Sequence, residues 1–125
     1  MANEIQGSFG LRVVNGYFQD QFQASFSYTQ YAVGRGGYVQ TIGTSEEVVV
    51  TGDIAANGWC LLVNLDEDNY VEYGPESAGA MVALGKLKPG EFAWFRLKPG
   101  VVLRAQANTA DVQLDVRAYA EGVGY

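Results

Sequence analysis

The chain has no histidine at all. That removes the commonest general base at neutral pH and the usual ligand of catalytic zinc, so Ser-His-Asp and Cys-His chemistries are excluded. Cysteine occurs once, as Cys60 in the apolar run Trp59-Cys60-Leu61-Leu62-Val63. An internal disulfide needs two, and a lone cysteine among apolar neighbours is expected to be a small buried hydrophobe. Basic residues are scarce, 8 Lys+Arg against 14 Asp+Glu for a net charge of −6. Binding to a phosphate backbone relies on clustered Lys and Arg, so a nucleic-acid partner is not expected. Long hydrophobic runs are missing too, since no stretch approaches the ~20 apolar residues of a membrane-crossing helix. The opening MANEIQGSFG has neither the basic nor the apolar region of a secretory signal. The expectation is a chain made and kept, at least at first, in a cytosol, with no membrane partner.

What is present is glycine, aromatics and alternation. Sixteen glycines stand against three prolines, and the aromatic share is 13% of 125 residues. Such a chain can bury roughly two-thirds of its unfolded surface and fold as one domain without staples. Apolar residues recur with period two, and helical periodicity is hard to find. Leu11 to Val14, then Asn15-Gly16, then Tyr17-Phe18 reads as a hairpin with a type I′ turn. Phe22, Ala24, Phe26 and Tyr28 alternate with Gln21, Gln23, Ser25, Ser27 and Thr29, a strand with one dry and one wet face.

Further strands are expected over 38–42, 46–51, 59–65, 69–73 and 80–84, with loops over 31–37 and 74–79 and a turn at Asn57-Gly58. The almost wholly apolar 59–65 belongs in the middle of a sheet. Leu87-Lys88-Pro89-Gly90 and Leu97-Lys98-Pro99-Gly100 are two copies of one corner. Proline presets φ near −65° and glycine accepts positive φ, so each Pro-Gly suits a type II turn. The pair brackets a strand over 91–97, and strands follow over 101–107 and 111–120. In the last, Val112, Leu114, Val116 and Ala118 point inward. Eight or nine short strands with turns every eight to twelve residues predict an all-β, single-domain antiparallel β-sandwich, jelly-roll-like, spanning 1–125, with 1–8 as an N-terminal arm and 121–125 as a C-terminal tail.

Sites for chemistry are sparse. A carboxylate pair can hydrolyse glycosides, but Glu46-Glu47 and Asp66-Glu67-Asp68 sit in turns, where solvated acids are ordinary, so no catalytic residue is assigned. Asn64 to Asn69 superficially suggests a calcium loop. That pattern wants glycine at its sixth position and glutamate at its twelfth, where this chain has Asn69 and Pro75. No metal or cofactor is expected. Gly34-Arg35-Gly36-Gly37 is a single RGG triplet in a flexible loop. Trp59 and Trp94, in apolar strands, are expected in the core. Tyr70 and Tyr73, beside the acidic turn, are better placed for contact, but three residues apart on a strand they face opposite ways and do not form one platform. Charge is uneven along the chain. Up to residue 85 only Arg12 and Arg35 oppose ten acids, whereas beyond it six bases oppose four, an asymmetry suited to orienting copies or partners.

The run Gly58-Trp59-Cys60-Leu61-Leu62-Val63-Asn64-Leu65-Asp66, then Asn69-Tyr70-Val71-Glu72-Tyr73-Gly74, then Leu87 to Glu91 and Arg96 to Gly100, resembles small jelly-roll virion proteins of tailed bacteriophages. The likeness is particularly to capsid cement (decoration) proteins of short-tailed phages, over roughly residues 57–120. The resemblance implies a non-enzymatic virion protein that binds the outer surface of an icosahedral capsid, bridges major capsid subunits and self-associates as a dimer or trimer. Ala2, Asn3, Glu4, Ile5, Gln6, Arg35, Tyr70, Tyr73 and Tyr125 are the candidate contacts, with the termini as arms. The N-terminal third lies outside the resemblance. The alternatives are another virion component, such as a head–tail or fibre-base protein, or a carbohydrate-binding module.

Overall fold

A computed structural model of the chain describes residues 3–30, 33–51, 57–98 and 100–120. The described residues form twelve β-strands and no helix. The chain divides into two compact units, residues 1–31 and 32–125.

The first unit is a single hairpin. Strand β1 (Ile5–Asn15) pairs antiparallel with β2 (Phe18–Tyr28), each of 11 residues, in unbroken register from Ile5↔Tyr28 to Asn15↔Phe18. The turn is Gly16-Tyr17, with Gly16 at φ 61°. Asn-Gly was expected as the central pair of a type I′ turn. Positive φ falls on the first central residue alone, the pattern of type II′, because Asn15 is taken up in the ladder. The strand also begins earlier than expected, so Ile5 to Ser8 are part of the ladder and not a separate arm.

The second unit is an antiparallel β-sandwich, the fold class expected. One sheet runs β10-β6-β12-β3, with β4 also on β12, where β3 is Arg35–Gly36, β4 Val39–Ile42, β6 Asn57–Asn64, β10 Phe92–Arg96 and β12 Val112–Ala120. The other runs β5-β11-β7-β8, with β9 on β7, where β5 is Glu47–Val48, β7 Val71–Ser77, β8 Ala80–Met81, β9 Gly85–Leu87 and β11 Leu103–Ala107. The apolar strand β6 lies inside its sheet, between β10 and β12, as its composition predicts.

The core is what the two inner faces share: Ile42, Cys60, Leu62, Val112, Leu114 and Val116 from one sheet, Val71, Leu87, Leu103, Ala105 and Ala107 from the other. Along β12 the alternation is complete, with Val112, Leu114, Val116 and Ala118 all at 0% exposure.

Both proline-glycine corners turn the chain where expected. Glu91 N–H donates to Lys88 O at 2.9 Å, with Gly90 at φ 81°. Val101 N–H donates to Lys98 O at 3.2 Å, with Gly100 at φ 88°, while Pro99 lies outside the described residues. Strand β10 spans the interval between them.

Several boundaries differ from expectation. Asn57-Gly58 opens β6 and is not a turn, since Leu97 N–H bonds to Gly58 O at 2.9 Å. The expected 74–79 loop is mostly strand, because β7 continues to Ser77 and turns through Ala78 and Gly79, both at positive φ, into β8. Two residues of the expected 31–37 loop form β3, paired with β12.

Candidate functional site: the N-terminal hairpin face

In an antiparallel pair, residues directly opposite one another project to the same face. One face of the hairpin therefore carries Ile5, Phe9, Leu11 and Val13 from β1 against Phe18, Phe22, Ala24, Phe26 and Tyr28 from β2. The other carries Gln6, Ser8 and Arg12 against Gln19, Gln21, Gln23, Ser25 and Ser27, with Val14 its one large apolar side chain. The dry face is continuous along the ribbon. Its rings touch, with Phe9 and Phe22 centroids 6.1 Å apart and Phe26 and Tyr28 stacked at 5.3 Å. Gly7 sits opposite Phe26, and a side chain at Gly7 would collide with that ring, so glycine is what lets it lie flat across the strands. The only charge on this face is Asp20, opposite Val13 near the turn.

Toward the turn these side chains are open, whereas Ile5, Ala24, Phe26 and Tyr28 are half-buried. Phe18 is 61% and Phe22 55% exposed. A bare two-stranded hairpin is marginal in water; three strands with a hydrophobic face, or packing against another element, are needed for independent stability. This ribbon has the one-sided pattern of an element designed to be covered.

Polar side chains tie off its open end. Gln30 N–H donates to a Glu4 carboxylate oxygen at 2.9 Å, and the Gln6 side-chain amide donates to Asn3 O at 2.9 Å. The candidate contacts Asn3, Glu4, Ile5 and Gln6 thus gather at this end, while Ala2 and Tyr125 lie outside the described residues.

The remaining candidates are dispersed over the sandwich. Arg35 is on β3, its guanidinium 3.5 Å from Val116 O. Tyr73 packs on the core, its ring 6.3 Å from Phe95. Tyr70 lies just before β7, with the Lys86 ammonium 4.5 Å from its ring centre. The two tyrosines are engaged separately, Tyr70 ahead of the strand by Lys86 and Tyr73 within it by Phe95.

Trp59 and Trp94 depart from expectation. Neither is in the core, because β6 turns Cys60 and Leu62 inward and so puts Trp59, Leu61 and Val63 on the outer face, with Trp94 opposite Leu61. The indoles stack at 4.9 Å and 4°, the Arg96 guanidinium lies 4.8 Å from Trp59, and Tyr119 meets Trp94 edge-on at 6.1 Å.

The acidic turn is self-contained. One oxygen of Asp66 accepts backbone N–H groups of Asp68 and Asn69 at 3.0 and 2.6 Å. Those bonds, that of Asn69 first, hold its carboxyl below the ordinary carboxylate range. Burial pushes the Cys60 thiol up to about 12, which leaves it protonated and unreactive.

Neither family models, nor curated proteins, nor solved structures give a match to this chain.

Proposed function

We propose that the chain is a non-enzymatic structural protein of a tailed-phage virion, which binds the outer surface of the icosahedral capsid and stabilises it by bridging major capsid subunits. The observation that carries the reading is the hairpin, a separate unit whose dry face is open from Phe9 to Phe22 and which, as a two-stranded ribbon, gains stability from being covered. An assembly component needs such an element, and the sandwich that follows is the rigid body it serves. The resemblance of residues 57–120 to capsid decoration proteins supports a capsid as that assembly. Small contacts of this kind gain force by repetition over a shell.

The carbohydrate reading has less support. The open aromatics of the hairpin face are phenylalanines, which offer a sugar ring no polar partner, and the larger Trp59 is engaged by Trp94 and Arg96 within the protein.

The test is to add purified protein to mature shells that lack it and pellet them. Saturable binding in a fixed ratio to the shell subunits is expected. Failure to pellet at any concentration, with the sandwich folded, would refute the reading.

A further inference from the structure

The hairpin face has a natural occupant. We propose that it is a homotypic interface, covered by the same face of a second copy of this chain. The inference rests on reading the chain as an assembly component and names what the hairpin meets first.

Area sets the scale. Phe9, Leu11, Val13, Phe18 and Phe22 are 45, 41, 36, 61 and 55% exposed, which at ~200 Å² per large side chain leaves on the order of 500 Å² of apolar surface open on one face. That is near the upper end for the largest patch of a monomer, about 300–600 Å². Two such faces brought together remove up to about 1,000 Å² from water, the floor for a biological interface when the surfaces fit well.

Shape and charge agree with self-pairing. Eleven residues per strand make a ribbon ~36 Å long, and two ribbons stacked ~10 Å apart form a small two-layer sandwich whose inner faces match in length, width and apolarity. Projecting Phe9, Phe18 and Phe22 alternate with the small Ala24, so the faces can interdigitate. A two-fold axis across the ribbons, with turns at opposite ends, separates the two Asp20 carboxylates by most of that length, well beyond the ~10 Å range of a surface charge at ordinary salt. The polar faces, rich in Gln and Ser, are then turned to water.

Timing points the same way. The protein is made before it meets a shell, and a bare ribbon of this kind is marginal alone. A second copy is the one partner present wherever the chain is present.

The test is the mass of the full chain in solution by size exclusion with light scattering, over a concentration series. It is run beside the double variant Phe9→Ser/Phe22→Ser and a polar-face control, Gln19→Ser/Gln23→Ser. The wild type and the control are expected at twice 13.5 kDa or a higher integral multiple, and the dry-face variant at the mass of one chain. All three should share the sandwich's melting transition. A wild type at the mass of one chain throughout overturns the proposal, as does a dry-face variant that keeps the oligomer. Hydrogen exchange of the hairpin amides guards against simple unfolding. Protection that grows with protein concentration supports pairing, and full protection in a monomeric sample overturns it. Shell pelleting separates the two readings. A monomer that pellets with shells sinks self-pairing alone, and an oligomer that never pellets sinks the capsid reading alone.

Discussion

Replacing Asn64 with leucine should cost the sandwich about 2–3 kcal/mol. Asn64, at the end of β6, is fully buried. Its side-chain amide donates to Asn69 O and Leu87 O, both at 2.9 Å, and its side-chain oxygen accepts the Asp66 N–H at 2.8 Å. Its backbone holds the first proline-glycine corner as well, giving N–H to Glu91 O and taking N–H from Gly90, both at 3.0 Å. The side chain thus ties the acidic turn to the end of β9, and the backbone of the same residue holds the corner before β10. Leucine keeps the branched shape and the backbone bonds but strands Leu87 O in the interior, at about 1–3 kcal/mol. Asn69 O and the Asp66 N–H recover water at the surface, so each loss is about 0.5–1.5 kcal/mol. The added apolar burial offsets roughly 1–2 kcal/mol. For a unit near 100 residues, the net loss lowers the melting temperature by roughly 10–25 °C. The assay is urea and thermal unfolding followed by fluorescence of Trp59 and Trp94. A loss below about 1 kcal/mol, or a gain, would refute the assignment of Asn64 as the tie.

Gly74→Ala should be at least as damaging, because a β-carbon there meets the backbone of Val82 and Leu84 where that segment hydrogen-bonds back to β7; wild-type urea stability in this variant would contradict the packing. Cys60 should stay unlabelled by a thiol reagent at pH 8 while the protein is folded and react at the rate of unfolding, so immediate labelling would contradict its burial. Asp66→Ala should destabilise the sandwich by an amount that is full above the ordinary carboxyl value of 3.8 and shrinks as pH falls below it, because the folded carboxyl titrates lower than the unfolded one. A deficit independent of pH down to 2 would contradict the role of the ionised carboxylate.

The legible parts of the fold were those with local signals. Strict alternation fixed the inward face of β12, and the two Pro-Gly pairs located the corners around β10. The dry and wet faces of β2 were equally plain. What β1 would contribute was not, because Gly7 interrupts its apolar period and Val14 falls on the polar face, and only the register shows that Phe26 lies over Gly7. The tryptophans misled for the opposite reason. In an unbroken apolar run such as Trp59 to Val63, composition cannot say which face is the core, and a strand apolar on both sides buries one and half-covers the other. The candidate site was half legible, since Ile5 and Gln6 fall at the hairpin's open end but the face beyond them, from Phe9 to Phe22, emerges only once the two strands are paired.

The central claim is that this chain stabilises a shell it binds. The most direct measurement is the temperature at which capsids lose integrity, with and without saturating protein. The account predicts a higher temperature for decorated shells, rising with occupancy and levelling off where binding saturates. An unchanged temperature on fully decorated shells would contradict it.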